Sequence, residues 1–503
     1  MKLSKNISLS QTCLASVIGL LLASSVAYGQ STTSSIFGQV PVQSGEKIVI
    51  RGTTGLTRTV NVNSQGRYNA PQLPVGTYSV ALMMGGKVVQ TRDNVVLNVG
   101  AGAEVSFSAS AGASEANATK LSAVQVTANS APPIDVSTVD SHTIITADQL
   151  AKLPLARTAE AAALLAPGAV MGAGGASSTT GVPLVSFGGS STTENAYYIN
   201  GFNTTDPFNA AGGITLPYGS IQQEEAYTGG YSAQYGRTDG GVISMVGKSG
   251  TNEWHFGGQV NFAPQEWRSS PQDTYYENGL PANPVAGRLY DPRSKNTSWE
   301  STYDLYVGGP LIKDKLFLFA SAEKSYQDGT TVNSVEAGNS DHYKNSTPKW
   351  YTKINWNITD NSVLEITGAS DELRTRGSLY NYDYSNNSDA SFKGFSNETL
   401  QGGHMWSAKF TDYLTDSITL NAMYGRMKTY NVTQPVGYNP DLAYLSGTIN
   451  QNPALNGGTP ITNSQTIAEL QNPKNNFTTN NLRASVTDVI GGEFNSEVHR
   501  PTR

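Results

Sequence analysis

The side chains that most often carry chemistry are sparse in this sequence of 503 residues. None of its five histidines forms the H-E-x-x-H pattern, or the helical i, i+4 pair, by which two imidazoles bind zinc. No G-x-S-x-G pattern, which would place a serine nucleophile on a sharp turn, is present either. The histidines are isolated from one another along the chain: His142, His255, His342, His404 and His499.

Two other patterns resemble reactive motifs without matching them. Glu224 and Glu225 are adjacent on a segment of strand character, so their carboxylates point to opposite faces and do not form a general acid–base pair. Gly241–Ser249 resembles a phosphate-binding loop, but five residues separate its glycines where four are needed. This segment is predicted to be a strand and a turn. We therefore predict that the protein is not an enzyme and binds no metal or cofactor.

One polar segment has the composition of a ligand contact. Tyr380–Asp389 carries Asp383 and Asp389 interleaved with three tyrosines, a mixture that is able to contact a sugar or a cation. A solvated loop is the simpler interpretation, because loops that run over a protein surface are polar as a rule. The sequence does not identify a ligand.

The composition is that of a polar, mainly β protein. Charged residues are 14% of the chain, against a usual ~25%, and there are 51 glycines and 25 tyrosines. The formal net charge is −6, and lysine and arginine are nowhere clustered, which argues against a nucleic-acid partner.

Residues 1–29 are predicted to be a secretory signal peptide. Lys2 and Lys5 precede the apolar run Cys13–Ala23, and Ala27 and Gly29 frame a small-residue cleavage site. The apolar run is too short to span a membrane as a helix. Cleavage would remove the only cysteine of the chain and leave a mature protein without disulfides or thiol chemistry.

After residue 250 the chain alternates between apolar and polar residues. In Trp254–Phe262, Trp350–Ile358 and Ile418–Tyr424 nearly every second residue is apolar and the intervening residues are mostly polar. Runs of about nine residues with this period are what a lipid-facing barrel strand requires. Because the bilayer admits only helices and closed barrels, the pattern predicts an outer-membrane β-barrel.

Eight such strands can be placed in residues 251–503, and the connections between them alternate between long and short, as in outer-membrane barrels. They are Trp254–Phe262, Glu300–Val307, Leu316–Glu323, Trp350–Ile358, Val363–Ser370, His404–Phe410, Ile418–Arg426 and Leu482–Val489. Eight strands could close a small barrel by themselves. Its lumen would hold only its own side chains, whereas plugged transporters use about 22 strands. We therefore expect a partial barrel, the first eight strands of a larger one.

Residues 30–110 are predicted to form a β-sandwich, because short apolar runs alternate with turn residues at close spacing. Within it Gly66, Tyr68, Leu73, Gly76 and Tyr78 fill the spacing G-x-Y-x-x-x-x-L-x-x-G-x-Y. This pattern resembles the carboxypeptidase regulatory-like domain. The resemblance implies a transthyretin-like fold, which is often grouped with carbohydrate-binding-like folds. It leaves open whether the domain binds sugar or serves as a spacer or docking domain.

Residues 111–134 are predicted to be a linker that contains one short extended segment. A strand between flexible flanks can add to the sheet edge of a partner through main-chain hydrogen bonds. The segment resembles the TonB box, by which outer-membrane receptors are held from the periplasm; an ordinary linker strand is the alternative. Its residues are Leu121, Ser122, Ala123, Val124, Gln125, Val126, Thr127 and Ala128.

Residues 135–250 are predicted to be a small α/β unit in which Thr146 caps a first helix and Ala156–Leu165 forms a second. Ile145–Val170, Tyr197–Phe208 and Ile221–Gly257 resemble the plug domain of TonB-dependent receptors, and the last of these resembles the Oar-like branch. Gly308–Ser325 is similar to a turn and strand of that branch.

The resemblance implies a receptor of the Gram-negative outer membrane. A large solute, such as a carbohydrate or a peptide, would bind outside, and a periplasmic TonB-type energy transducer would pull Leu121–Ala128 and rearrange the plug. The implied partners are this transducer, the solute and outer-membrane lipid. Two alternatives stay open. One is a surface adhesion or assembly protein with a carbohydrate-binding-like domain, and the other is a non-functional truncated fragment.

Overall fold

The computed structural model describes residues 32–42, 45–100, 102–107, 141–173, 176–178, 180–207, 210–231, 235–236, 238–277, 286–395, 398–434 and 476–488, the last range and residues 433–434 through their backbone alone. The predicted signal peptide, residues 1–29, and the predicted TonB box, Leu121–Ala128, lie outside the described residues.

The N-terminal unit, which we call the sandwich, consists of two packed sheets that are antiparallel except for the parallel pair β1–β7. One sheet has the order β4-β1-β7 and the other the order β3-β2-β5-β6. Alternating residues of both sheets, including Ile36, Ile48, Leu73 and Val80, meet in one core and are fully buried. The strands are β1 (Thr33–Gln39), β2 (Glu46–Gly52), β3 (Thr57–Asn61), β4 (Arg67–Pro74), β5 (Gly76–Met84), β6 (Lys87–Leu97) and β7 (Ala103–Glu104).

The motif tyrosines of the sandwich have structural roles. The Tyr68 hydroxyl donates to the carbonyl of Val105, and the Tyr78 hydroxyl donates to the carbonyl of Pro74 at 2.6 Å. Both rings are almost completely buried, so these bonds satisfy hydroxyls that would otherwise be costly in the core. The carboxypeptidase regulatory-like assignment itself stays a prediction.

The central unit, residues 141–247, is a five-stranded sheet with two short helices on one face. The order of the sheet is β12-β11-β14-β13-β8, so that β8 is an edge strand paired with β13 alone. Its elements are β8 (Ser141–Thr146), α1 (Ala147–Lys152), α2 (Ala159–Ala163), β9 (Ala169–Met171), β10 (Val185–Phe187), β11 (Ala196–Ile199), β12 (Phe202–Asn203), β13 (Ile221–Gly229) and β14 (Val242–Gly247).

The two helices begin where polar caps precede them. Thr146 accepts from the backbone N–H of Gln149 while the Gln149 side chain accepts from the Thr146 N–H, a reciprocal capping box that confirms the predicted first helix. The second helix is shorter than predicted. Thr158 caps it and it spans only Ala159–Ala163, because Ala156 and Arg157 lie in the extended entry to the cap.

The C-terminal part is one large antiparallel sheet, which we call the wall. Its main path is β15-β18-β19-β20-β21-β25-β26-β27, and it is open, since β15 and β27 lie at opposite ends of the described sheet. The strands of the wall are β15 (His255–Ala263), β18 (Thr297–Ile312), β19 (Leu316–Val332), β20 (Asn339–Asn357), β21 (Ser362–Ser370), β22 (Leu373–Thr375), β23 (Gly377–Asp383), β24 (Ser388–Phe395), β25 (Glu398–Tyr413), β26 (Ile418–Gln434) and β27 (Asn476–Asp488). Between β15 and β18, β16 (Thr274–Tyr275) and β17 (Leu289–Asp291) pair with each other in a separate two-stranded sheet.

The two faces of the wall differ as the sequence period predicts. On β15 the outward side chains of Phe256 and Val260 are 82% and 64% exposed, a face suited to lipid. On β20 the intervening residues Tyr351, Lys353 and Asn355 point inward and are buried. In β19 the run Leu316–Phe319 is apolar at every position. Its phenylalanines face inward and are buried.

All eight predicted wall strands are present, but several are longer than expected. β19 extends to Val332 and β20 begins at Asn339, so most of residues 324–349, which the sequence predicted to be a long loop, is strand. The extensions are polar on both faces, because they project beyond the region where one face meets lipid. Because apolar residues do not alternate in these extensions, the sequence carries no periodic signal that would predict a strand there. The segment 371–397 likewise contains β22 and the hairpin β23–β24.

The short connections lie at one end of the wall. Residues 313–315, 358–361 and 414–417 join its strands there, and the sandwich packs against this end, which we call the rim. The long connections, including the hairpin β23–β24, lie at the opposite end.

Candidate functional site

The central unit occupies the concave face of the wall and shares a hydrophobic core with it. Phe202 and Ile243 of the central unit belong to the same buried cluster as Phe319, Tyr351 and Met427 of the wall. Tyr351 is 1% exposed and Phe202 is fully buried, so the two units exclude water where they meet. The candidate functional site is this contact, together with the contact between the sandwich and the rim.

An arginine from the entry to α2 binds two acidic side chains of the wall. Arg157 Nη2 lies 3.4 Å from Asp304 Oδ2 and 3.5 Å from Glu323 Oε2. The two carboxylates are almost completely buried, and Lys349 Nζ lies 3.3 Å from the other oxygen of Glu323. The Arg157 guanidinium also stacks over the ring of Tyr218 at 4.9 Å. A buried charge is tolerated only when it is paired, so these groups hold one another in place.

A tight turn of the central sheet makes a second attachment. Asn200, between β11 and β12, has a positive φ of 50°. Its amide donates to the Tyr351 hydroxyl at 3.0 Å and to Thr367 Oγ1 at 2.9 Å, and its oxygen accepts from the Gly247 N–H at 2.9 Å. One side chain therefore joins two strands of the wall to β14.

Backbone N–H groups of the central unit complete the attachment. The Thr215 N–H donates to Asp371 Oδ2 at 2.8 Å, and the other oxygen of Asp371 accepts from the Gly403 N–H at 2.9 Å. The Tyr218 N–H donates to Glu323 Oε2 at 3.2 Å. These polar contacts add to the hydrophobic core that the central unit shares with the wall.

Arg58 of the sandwich anchors it to the rim. Its guanidinium, which is 2% exposed, donates to the carbonyls of Pro71 and, at 3.0 Å, Asp416, and stacks over Tyr413 at 4.4 Å. The Tyr413 hydroxyl donates back to the carbonyl of Gln72 at 2.7 Å. Burial lowers the pKa of Arg58, although a guanidinium stays charged at any physiological pH.

The end of β3 and the turn that precedes this strand make further contacts with the rim. Asn61 donates through its backbone N–H at 3.1 Å and its side-chain amide at 2.9 Å to Asp416 Oδ2. Asn357 of the wall donates to the carbonyl of Thr54 at 3.0 Å. At Gly55, where φ is +74°, a Cβ would lie 2.6 Å from the carbonyl oxygen of Asp314. The sandwich is therefore seated on the rim at several separate points.

A polar cavity of ≈ 210 Å³ lies where the sandwich, the central unit and the wall meet. Thr54 and Gln72 of the sandwich line it, and so does Asn200 of the central unit. On the wall side Lys353 Nζ lies 2.9 Å from Glu365 Oε1, an ion pair that is buried in the lining. A cavity of this size and polarity has room for several ordered waters.

The structure brings few of the sequence-derived candidates to this site. Leu121–Ala128 lies outside the described residues, between Phe107 of the sandwich and β8. Glu225 bonds within its own strand, to Gln223 at 3.0 Å and Tyr227 at 3.1 Å, and the segment Tyr380–Asp389 lies on β23, β24 and their turn. Arg58, Arg157 and Asn200 were missed, because a contact between residues over 100 positions apart has no local sequence signal.

Two further findings bear on the chemistry. Within the described ranges, no group of three or more histidine, cysteine, aspartate or glutamate side chains is placed to hold a metal ion. Among the same residues, no helix is long and apolar enough to cross a membrane.

The architecture defines a class of protein. A compact α/β unit sits inside a curved antiparallel sheet whose outer face is apolar and whose inner face is polar, which is the arrangement of a plugged transmembrane β-barrel. Residues 135–243 match the model of the TonB-dependent receptor plug domain.

Known proteins are similar to this chain over much of its length. It is 27% identical over 332 residues to the TonB-dependent transporter Oar of Myxococcus xanthus, a match that covers 63% of this chain and 29% of that protein. The outer membrane transporter YddB from Escherichia coli has a TM-score of 0.44 and 18% identity, covering 62% of this chain and 42% of that one. A ferric enterobactin receptor (PfeA) from Pseudomonas aeruginosa has a TM-score of 0.42 and 15% identity, covering 68% and 45%.

These similarities support the resemblance to Oar-like TonB-dependent receptors that the sequence predicted. The central unit contains the residues that match the plug domain, so we call it the plug, and the wall is the sheet that holds it. The chain spans less than a third of the curated relative that it matches, and the matched relatives are transporters and receptors rather than enzymes.

Proposed function

We propose that this chain belongs to an outer-membrane receptor that binds a large solute outside the cell and passes it inward with energy from a periplasmic TonB-type transducer. The proposal is carried by the attachment of the plug to the wall. Besides the shared hydrophobic core, the attachment includes polar contacts around Arg157, Asn200 and Asp371, which a pulling force can break one by one.

The position of the predicted TonB box supports the same mechanism. Leu121–Ala128 lies between the last strand of the sandwich and β8, and β8 is an edge strand of the plug sheet. Force applied to the box therefore reaches the plug first at a strand held by one neighbour. We infer that an edge strand is the first element to separate, because only one ladder of hydrogen bonds retains it.

The sandwich has a role in this mechanism as a docked periplasmic domain. Its contacts with the rim fix it beside the plug, at the end where the transducer would act. We infer that it holds the start of the linker at a constant distance from β8. Sugar binding by the sandwich is a weaker proposal, because its motif tyrosines are buried and bonded internally.

The hairpin β23–β24 is the best candidate for contact with the solute. It lies at the end opposite the rim and exposes Phe392 and Phe395, which are 54% and 48% exposed. Arg376 stacks over Phe395 at 4.2 Å and Phe392 packs edge-on against Tyr380. Exposed aromatic faces suit the apolar face of a carbohydrate ring or an aromatic peptide side chain.

The experiment that tests the proposal measures binding between the receptor and the periplasmic domain of a TonB-type transducer. Val124→Pro and Val126→Pro remove one N–H each and fix the backbone, so a strand formed with the transducer loses hydrogen bonds. We expect each variant to weaken binding by at least tenfold.

Val124→Ile is the matched control, since it keeps both the N–H and the β-branched side chain, and it should bind as the unchanged receptor does. Equal binding by the proline variants would contradict the proposal that Leu121–Ala128 is the pulled segment.

A further inference from the structure

The plug core contains two acidic side chains at positions where a helix packed on a sheet normally places apolar ones. Glu160 lies on α2, which is otherwise alanine, and Glu224 lies in the middle of β13, on which α2 packs. Glu160 is 6% exposed and Glu224 is fully buried. Buried carboxyl groups are rare unless they are paired, so this arrangement requires an explanation.

Neither acid has the partners that usually accompany burial. Among the described residues, both carboxyl oxygens of Glu224 and one oxygen of Glu160 have no hydrogen-bond partner. The neighbouring Glu225 differs, since its carboxylate accepts from Gln223 and from Tyr227. An unpaired ionised carboxylate is very costly in such a site, so the group takes up a proton instead.

The charged groups around the two acids do not neutralise both of them. The titratable groups that interact electrostatically with Glu224 are Glu160, Glu225 and Tyr218. Tyr197 interacts with both acids. Near Glu160 the wall contributes Lys349, which is already bound to Glu323, and Asp371. Burial is the largest cause in each case, and it raises the pKa of Glu160 to about 7 and the pKa of Glu224 well above its usual range.

The edge strand β8 covers this pair. Ile145 of β8 lies directly opposite Glu224 in the antiparallel register, and α1, which follows β8 without a break, packs on the same strand, β13. Separation of β8 from β13 would therefore expose Glu224 to water before any other strand of the plug sheet is disturbed.

We propose that Glu160 and Glu224 form a proton-dependent release point in the plug, which is neutral and closed while β8 is in place and which ionises and repels itself once β8 is pulled away. This rests on the proposed function, in which the transducer pulls the segment that precedes β8. Each acid gives its proton to water on exposure. Two carboxylates then face one another, and closure requires both protons to return.

The sign of the pH dependence follows from proton counting. The closed plug holds protons on Glu160 and Glu224 at a pH where the exposed groups have lost theirs, so the closed state binds more protons than the open state. For Glu160, opening therefore becomes more favourable as pH rises from the ordinary carboxyl pKa of 4.5 towards the raised value of about 7, and its contribution levels off above that value; the contribution of Glu224 has the same sign.

Hydrogen exchange of residues 141–153 in the intact receptor tests the proposal. After correction for the intrinsic rate, the opening equilibrium of β8 should increase on the order of 50-fold between pH 5 and pH 8 for one such carboxyl group. The double variant Glu160→Gln, Glu224→Gln mimics the protonated pair and should reduce this increase to less than about threefold. Glu160→Gln alone should retain part of it.

Glu225→Gln is the comparison variant: the Glu225 charge contributes to the raised pKa of Glu224, so its removal should reduce the increase by less than the double variant does. An opening equilibrium independent of pH in the unchanged receptor, or the same pH dependence in the double glutamine variant, would overturn the release point. The exchange experiment contains no transducer or solute. A negative result therefore leaves the proposed transport function standing, and failure of transducer binding leaves the release point standing.

Discussion

Two arginine–carboxylate pairs in this chain have the same separation and different surroundings. Arg157 Nη2 lies 3.4 Å from Asp304 Oδ2, with the two side chains 23% and 4% exposed. Arg268 Nη2 lies 3.4 Å from Glu300 Oε2, with the side chains 38% and 41% exposed. Burial rather than distance decides their contribution, because water screens the second pair.

Replacement of Arg157 by methionine should destabilise the plug in the wall by about 3–5 kcal/mol, since it leaves Asp304 and Glu323 buried with one cation fewer. Arg268→Met should cost less than about 1 kcal/mol. The measurement is thiol labelling against urea concentration of an Ala162→Cys reporter, which is fully buried in the plug core. Equal shifts for the two variants would show that the Arg157 cluster does not hold the plug.

At this scale the sequence predicted local features and missed distant ones. The cap at Thr146 was predictable, because its partner Gln149 is three residues away. Arg157 and Asp304 are 147 positions apart. They pair only because the central unit packs against the wall, and nothing in the sequence around either residue indicates this pairing.

At the scale of elements, the sandwich is seated on the rim rather than tethered beside it. Arg58 and Asn61 contact Asp416 in one connection of the wall, and Thr54 contacts Asn357 at the end of β20. The sequence left open whether the sandwich is a spacer or a docking domain. The residues that decide between these roles lie far apart in the chain, in β3, in a turn and in the rim. The structure favours docking.

Gly55 provides a test of docking that leaves the fold of the sandwich intact. In Gly55→Ala the added Cβ would lie 2.6 Å from the Asp314 carbonyl oxygen and 2.8 Å from the ring of Phe317, so the sandwich must move off the rim. We expect deuterium uptake of residues 311–318 to rise several-fold as a result.

Gly86→Ala is the matched control. Gly86 has φ of +82°, against +74° at Gly55, and its Cβ would meet nothing within 4 Å. Both variants carry the same backbone strain of about 1–2 kcal/mol, so only the steric conflict with the rim differs. If deuterium uptake of residues 311–318 rises equally in both variants, the contact between the sandwich and the rim does not depend on the close approach at Gly55.

At the scale of the whole molecule, the fold class was predictable, but the lengths of the wall strands were not. The inward and outward faces follow from the period of two, which lipid on one side and a plug on the other impose. Beyond the lipid that constraint ends, and the polar extensions of β19, β20 and β25 carry no alternation to detect. The same limit applies to the hairpin β23–β24, whose composition predicted a loop.

The open wall leads to a prediction for the chain expressed as residues 1–503. β15 and β27 each present one row of backbone N–H and C=O groups with no neighbouring strand among the described residues. In hydrocarbon each unpaired group costs several kcal/mol, so the two edges together cost on the order of tens of kcal/mol. That exceeds the usual net stability of about 5–15 kcal/mol. Both edges of the described sheet therefore need pairing partners before it can enter a membrane.

We therefore expect residues 1–503 alone to give no heat-modifiable, membrane-integrated band in an electrophoretic assay of outer membranes. A closed eight-stranded barrel expressed in the same cells is the control, and it should give such a band because closure leaves it no edges. A heat-modifiable band from residues 1–503 would mean that β15 and β27 find partners, by closing on each other or by pairing between copies. Crosslinking between β15 and β27 would then distinguish closure from pairing between copies, since only closure gives a crosslinked monomer.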